Sequence, residues 1–138
     1  MAETVAAVSL RDLRLSAPAS WQPQVATLTV LGERLALPPT VYGALLWQHL
    51  TELPYLHAGS DIDLLWSTPA ACILPSLLDD LARLDAAGPA RVDGEITLAS
   101  GCGVNWRELR QELPSPGGSV LVKSMNGAGI RCAQTLFS

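Results

Sequence analysis

The chain has 138 residues, enough for one domain with a genuine hydrophobic core and too few for two. Apolar residues make up 49% and charged residues 16%, which excludes intrinsic disorder, and 9 Lys+Arg against 13 Asp+Glu leave a formal net charge of −4. That acidity argues against unspecific duplex binding, which needs a basic face, and an aromatic content of 5% argues against a base-stacking platform. Nucleic acid is therefore not an expected partner. The three cysteines, Cys72, Cys102 and Cys132, form no CxxC pair, so neither a disulfide framework nor a tetrahedral zinc site is expected. The N-terminal stretch MAETVAAVSLRDLRL has no basic region of the signal-peptide kind. The longest apolar runs, Val41–Trp47 and Pro69–Leu78, are too short to span a bilayer. The expectation is a cytoplasmic protein without a membrane partner.

Residues 1–40 read as an N-terminal arm. Within it Val25–Val30 (VATLTV) is rich in β-branched residues and predicts a strand, with Gly32-Glu33 turning into Leu35–Leu37, so the arm holds a short strand pair. Pro38-Pro39-Thr40 then punctuates the chain, and Thr40 is placed to cap a helix beginning at Val41. Tyr42, Leu45, Leu46, His49, Leu50 and Leu53 give that helix one apolar stripe, and Pro54 ends it. A loop over Tyr55–Ser60 leads to Ile62–Trp66, a compact run expected to be a buried strand. The next helix starts near Pro75, with Leu77, Leu78, Leu81, Ala82 and Leu84 inward and Asp79, Asp80 and Arg83 outward, and Gly88-Pro89 stops it.

Arg91–Leu98 (RVDGEITL) alternates as a strand does, weakened by Gly94 at its middle. Ser100–Gly103 is a Gly-rich turn, Val104–Leu113 a short helix containing Trp106 and Leu109, and Pro114–Gly118 a loop. Val120–Lys123 is a last strand and Asn126–Gly129 a turn. Helices and strands thus alternate over residues 41–138, the pattern of a small α/β or α+β sheet domain.

The chemistry concentrates at Asp61-Ile62-Asp63, which opens an otherwise apolar strand. Residues i and i+2 of a strand point to one face, about 7 Å apart between Cα atoms. Two carboxylates placed so repel each other, and burying both makes sense when a cation sits between them. Magnesium suits such hard oxygen ligands and leaves positions for substrate phosphates. The plainer alternative is a solvated strand edge or a cap on the preceding turn. A second acidic strand, Val92-Asp93-Gly94-Glu95-Ile96, follows after one helix, and Asp93 falls beside Asp61 and Asp63 if the two strands are neighbours. Three carboxylates on adjacent strands can hold two metal ions. Asp93 and Glu95 share a face, so spacing alone leaves the third acid open between them.

A helix carrying Gly, then S-D-I-D-L-L, a helix and R-V-D resemble the nucleotidyltransferase superfamily of the polymerase-β-like fold. Within it, the stretches VYGALLWQHLTELPYLHAGSDIDLLW, ARVDGEITLASGCGVNWREL and SVLVKSMNGAGI resemble the malonate decarboxylase holo-acyl-carrier-protein synthases, the phosphoribosyl-dephospho-CoA transferase family. The resemblance covers Val41 to Ile130. It implies an α+β fold, a small nucleotidyltransferase-like mixed sheet flanked by helices, with residues 41–138 as the catalytic domain. It implies transfer of the prosthetic group of triphosphoribosyl-dephospho-CoA to a serine of the decarboxylase's acyl-carrier subunit, with release of pyrophosphate. It also implies Mg²⁺, with Asp61 and Asp63 as ligands and Asp93 as the third acid. The superfamily's Gly-Ser, which contacts the triphosphate, falls at Gly43-Ala44, so Gly43 is a substrate-binding candidate and the serine hydroxyl is missing. Two alternatives stay open: a nucleotidyltransferase with another acceptor, since no residue fixes the acceptor, and, given that gap, an inactive nucleotide-binding domain. Family members usually carry a longer N-terminal region, so a catalytic-domain fragment or a reduced member is expected.

Further substrate-binding candidates are Ser60, which abuts Asp61 and caps or orients the start of its strand, and Arg91, placed to orient Asp93 or touch phosphate. Lys123, inside the apolar VLVKS, is a candidate point charge for phosphate, against the alternative of an edge-strand lysine that discourages sheet pairing. His57 precedes Asp61 on a loop, whereas His49 falls on the apolar helix stripe and reads as core. Trp106 beside Gly101–Gly103 is a candidate for packing on a nucleotide, although GCG is neither a GxGxxG nor a P-loop motif. Arg107, Arg110 and Arg131 are candidates for docking an acidic carrier.

Overall fold

Alternating apolar residues dictate the architecture. Val41, Ile62, Leu64, Trp66, Val92, Ile96, Val104, Val120 and Val122 are all buried and join one core with residues of every α-helix. Their strand neighbours, Gly103 apart, point the other way and remain half-buried or exposed. In the computed structural model, which describes residues 8–51, 60–124 and 126–137, this pattern builds a seven-stranded mixed sheet. The strands are β1 (Val8–Ser9), β2 (Thr40–Tyr42), β3 (Asp61–Trp66), β4 (Arg91–Thr97), β5 (Gly103–Asn105), β6 (Ser119–Ser124) and β7 (Gly127–Cys132), in that spatial order. The helices are α1 (Gln22–Arg34), α2 (Gly43–Thr51), α3 (Leu74–Ala87) and α4 (Trp106–Glu112). The fold is α+β, as expected.

All neighbouring strands are antiparallel except β3 and β4. A parallel neighbour needs a long crossover, and α3 supplies it. The register pairs Asp61 with Arg91, Asp63 with Asp93 and Leu65 with Glu95. Gly94 is the residue that permits this pairing: its φ of +127° is open to glycine, and a Cβ there would collide with the carbonyl of Leu64. A glycine that reads as a weak point in the strand is a condition of its pairing.

Several expectations are corrected. Val25–Val30 is helix, part of α1, and Leu35–Leu37 is not strand. Trp21, Gln24, Val25, Leu28, Leu31 and Gly32 are buried at three-and-four spacing, so packing of one helical face overrides the β propensity of valine and threonine. The hydroxyls of Thr27 and Thr29 donate to the carbonyls of Pro23 and Val25 one turn back, which accommodates both threonines in the helix. Gly32 is no turn; it lies against Pro39, where a Cβ would be crowded. Thr40–Tyr42 is strand rather than the first turn of a helix, because Val41 pairs with both Val8 and Leu64. Gly43, at φ +74°, breaks the chain from that strand into α2.

The helix predicted from Val104 begins only at Trp106, after the short strand β5, and the expected turn at Asn126–Gly129 is mostly β7, which pairs with β6 from Gly127. Asp80 is buried rather than outward, neutralised by Arg34 at 2.6 Å and by Arg83. Pro54, the Tyr55–Gly59 part of the predicted loop, and with it His57, lie outside the described residues. Among the described residues, no helix is long and apolar enough to cross a membrane.

Candidate active site

The parallel pairing of β3 and β4 brings Asp61, Asp63 and Asp93 onto one sheet face, with one carboxylate oxygen of each within 4.8 Å of the others. All three are half-buried. Glu95, the other candidate for third acid, is instead hydrogen-bonded by Nζ of Lys123 at 3.3 Å. The crowding is expressed at Asp63, whose carboxyl is pushed up to about 6, first by burial and then by the charges of Asp61 and Asp93, with Arg91 offsetting part of the effect. Three carboxylates so placed could hold a cation, and a donor set of carboxylate oxygens suits a hard one such as Mg²⁺.

Three substrate-binding candidates adjoin this trio. Gly43 packs directly on Asp63, and a Cβ there would collide with Oδ2 of that aspartate. Ser60 is buried immediately before Asp61. Arg91 reaches Oδ2 of Asp61 with Nη1 at 3.8 Å and is otherwise exposed. Lys123 sits two strands beyond β4, on the same face but committed to Glu95.

Trp106 is not free to pack on a nucleotide: it is buried, and its indole N–H donates to the carbonyl of Val92 at 3.3 Å. Arg107, a docking candidate, is half-buried and committed within the domain. It stacks over Trp106, donates to Asp85 at 2.7 Å and donates to the Val92 carbonyl at 2.9 Å. Arg110 pairs with Asp79 at 3.2 Å, while Arg131 is exposed.

These contacts form a clamp on the backbone just before Asp93. The Val92 amide donates to Oδ1 of Asp85 at 2.8 Å, so α3 and α4 together hold this peptide. Burial raises the Asp85 carboxyl, but the hydrogen bonds from Arg107 and Val92 outweigh it and hold the group below the usual carboxylate range. Gln24 of α1 fixes the start of β4 in the same manner, donating to the Ala90 carbonyl at 2.8 Å and accepting from the Ala90 amide at 3.0 Å.

Two polar residues beside the trio escape sequence reasoning. Tyr42 stands opposite Asp63 in the sheet and is 39% exposed. Burial raises its phenol well above the ordinary range, and the charges of Asp63, Glu95 and Asp93 add to the effect. Asn105 donates from Nδ2 to Oδ1 of Asp93 at 3.1 Å. Its signal was present in Asn105-Trp106-Arg107-Glu108, the spacing of a helix N-terminus with an acid at the third position. The box is half used, because Glu108 turns away to accept from the Leu121 amide at 2.7 Å.

Residues 9–133 match the family model described as Phosphoribosyl-dephospho-CoA transferase MdcG C-terminal domain. A relative from Xanthomonas axonopodis pv. citri, named phosphoribosyl-dephospho-CoA transferase, is 40% identical over 140 residues, covering 99% of this chain and 62% of the relative. One of the same name from Xanthomonas campestris pv. campestris is 32% identical over 137 residues, with the same coverage of 99% and 62%. A third, from Bradyrhizobium diazoefficiens, is 38% identical over 101 residues, 73% of this chain and 45% of the relative. The chain therefore spans less than two thirds of the length of these curated relatives. No solved structure matches it. On the match over 9–133, the chain belongs to the phosphoribosyl-dephospho-CoA transferase MdcG family, of which it carries the C-terminal domain.

Proposed function

We propose that this domain carries the catalytic centre of a phosphoribosyl-dephospho-CoA transferase, working by nucleotidyl transfer to a serine of the malonate decarboxylase acyl-carrier subunit. The observation that carries the reading is the convergence of Asp61, Asp63 and Asp93 within 4.8 Å on two parallel strands. Asp61, Asp63 and Asp93 would hold Mg²⁺, which when bound supplies the positive charge that a polyphosphate needs at an otherwise acidic face.

The chain's own groups account for the remaining requirements. Gly43 presents bare backbone against Asp63 and so lets that carboxylate lie close to the start of α2. Arg91, partly exposed next to Asp61, offers a cation at the rim. Lys123 reaches the same face once it exchanges Glu95 for a substrate oxygen. In the transfer, the serine Oγ forms a bond to the α-phosphorus, the bond to the pyrophosphate oxygen breaks, and Asp93 accepts the hydroxyl proton.

One observation favours a second reading. Ala44 follows Gly43, so no serine hydroxyl is available there, as in a domain that binds the triphosphate without turning it over.

Intact-mass measurement separates the two. The apo carrier subunit is incubated with this chain, Mg²⁺ and triphosphoribosyl-dephospho-CoA, beside an Asp61→Asn control. A gain of one prosthetic group, absent from the control, supports the transferase. Retained transfer in Asp61→Asn overturns the role given to the carboxylates, and substrate binding without any mass gain favours the second reading.

A further inference from the structure

We propose that Asn105 is a positioning residue, holding the Asp93 carboxylate in place for the cation; this rests on the three-carboxylate reading above. The amide has two ends, and both are committed. Its Oδ1 accepts from the backbone N–H groups of Arg107 at 3.0 Å and Glu108 at 3.2 Å, capping α4. Those two bonds fix which end is oxygen, so the Nδ2 end must face Asp93, to whose Oδ1 it donates at 3.1 Å. The amide cannot be inverted without leaving two helix N–H groups unsatisfied and setting its oxygen against a carboxylate.

The chemistry of the donor matters. Asp93 points at two other carboxylates and needs a partner to hold it there without metal. A lysine or arginine in this place would neutralise Asp93 and compete with the cation. A neutral amide orients one oxygen and leaves the negative charge of Asp93 for metal. The support behind it is rigid, since Trp106 and Arg107, the next two residues, grip the Val92 carbonyl on the strand that carries Asp93. The same turn of helix thus fixes both the backbone before Asp93 and its side chain.

A plain helix cap would share the Oδ1 bonds but owe nothing to Asp93. Asn105→Ser tells the two roles apart, because serine caps a helix about as well and is too short to reach the carboxylate. Asn105→Thr is a second cap-retaining variant, and Asn105→Ala removes both functions. The measurements are the melting temperature in EDTA and the affinity for Mn²⁺, followed by titration calorimetry and by the paramagnetic resonance of the bound ion, well below the melting of every variant.

The expected result is that Asn105→Ser and Asn105→Thr melt in EDTA within about 2 °C of wild type. Both should bind Mn²⁺ roughly ten-fold or more weakly, the usual cost of losing a partner that orients a ligand. Asn105→Ala should show the same loss of affinity and a lower melting temperature. Wild-type Mn²⁺ affinity in the serine and threonine variants would overturn the proposal and leave Asn105 a cap, with the metal reading intact. Absence of Mn²⁺ binding in the wild type, or binding unchanged in Asp61→Asn, would instead overturn the three-carboxylate reading and this proposal with it.

Discussion

Asp63→Asn should stabilise the metal-free protein while abolishing its response to Mg²⁺. Asp63 sits at the middle of the trio, with its carboxyl pushed from 3.8 up to about 6 by burial and then by Asp61 and Asp93. A carboxyl raised on folding contributes its full share of stability below its unfolded value and loses it as pH rises through about 6. At pH 7.5 the ionised group therefore opposes folding. Taken at face value the displacement is worth about 3 kcal/mol, and because the group is half-buried, solvent screening leaves about 1 kcal/mol.

The amide is isosteric, carries no charge and should recover that amount. In a domain of this size it is worth about 3 °C in melting temperature. The assay is calorimetric melting of both proteins in EDTA and in Mg²⁺, at pH 7.5 and at pH 5. In EDTA the variant melts higher at pH 7.5, and the difference shrinks at pH 5, where the wild-type carboxyl has itself become largely neutral. In Mg²⁺ the order changes: at ten times the dissociation constant the wild type gains about 1.4 kcal/mol by linkage and the variant gains nothing. A variant that melts lower in EDTA, or that gains as much from Mg²⁺ as the wild type, would refute the account of the trio as a strained site awaiting a cation.

Gly43→Ala places a methyl against Oδ2 of Asp63 at a φ of +74°, and should cost about 1–2 kcal/mol in strain together with the Mg²⁺-induced rise in melting temperature. Gly94→Ala should leave no cooperative unfolding transition by circular dichroism, because its Cβ collides with the Leu64 carbonyl and unpairs β3 from β4. The Asp85 carboxyl, held low by Arg107 and the Val92 amide against the effect of burial, contributes stability that is present above 3.8 and lost as pH falls further. Urea midpoints of the wild type should accordingly drop more steeply between pH 5 and pH 3 than those of Asp85→Asn. Leu109→Ala, which empties a fully buried position under α4, should cost about 2–5 kcal/mol in urea unfolding.

The elements legible in the sequence are those whose local pattern and tertiary role coincide. Ile62–Trp66 is apolar because the strand is central, Leu77, Leu78 and Leu81 mark the inner face of α3, and RVDGEIT alternates because one sheet face is buried. Elements made by pairing alone were not legible. GAGIRC of β7 carries no apolar alternation, since an edge strand with five exposed positions needs none, and its hydrogen bonds to β6 define it. Thr40–Tyr42 is too short to declare a strand before its partners Ser9 and Asp63 are known. In α1 the composition favours a strand and only the spacing of Val25, Leu28 and Leu31 favours a helix, so the core that they enter decides.

The site divides along the same line. Asp61 and Asp63 are brought together by strand periodicity alone, so any extended chain with that sequence would present them side by side. Asp93 joins them only through the register that sets it beside Asp63, and that register depends on residues outside the trio. Gly94 lets the two strands close, Gln24 fixes Ala90, and Asp85, Trp106 and Arg107 hold the peptide of Val92. None of these has a sequence signature of this positioning role, because each acts through backbone it holds rather than through chemistry it performs. Two carboxylates are thus given by local geometry and the third by the fold. A weakened clamp should therefore cost cation affinity before it costs the sheet, whereas loss of Asp61 should cost affinity and leave the sheet intact.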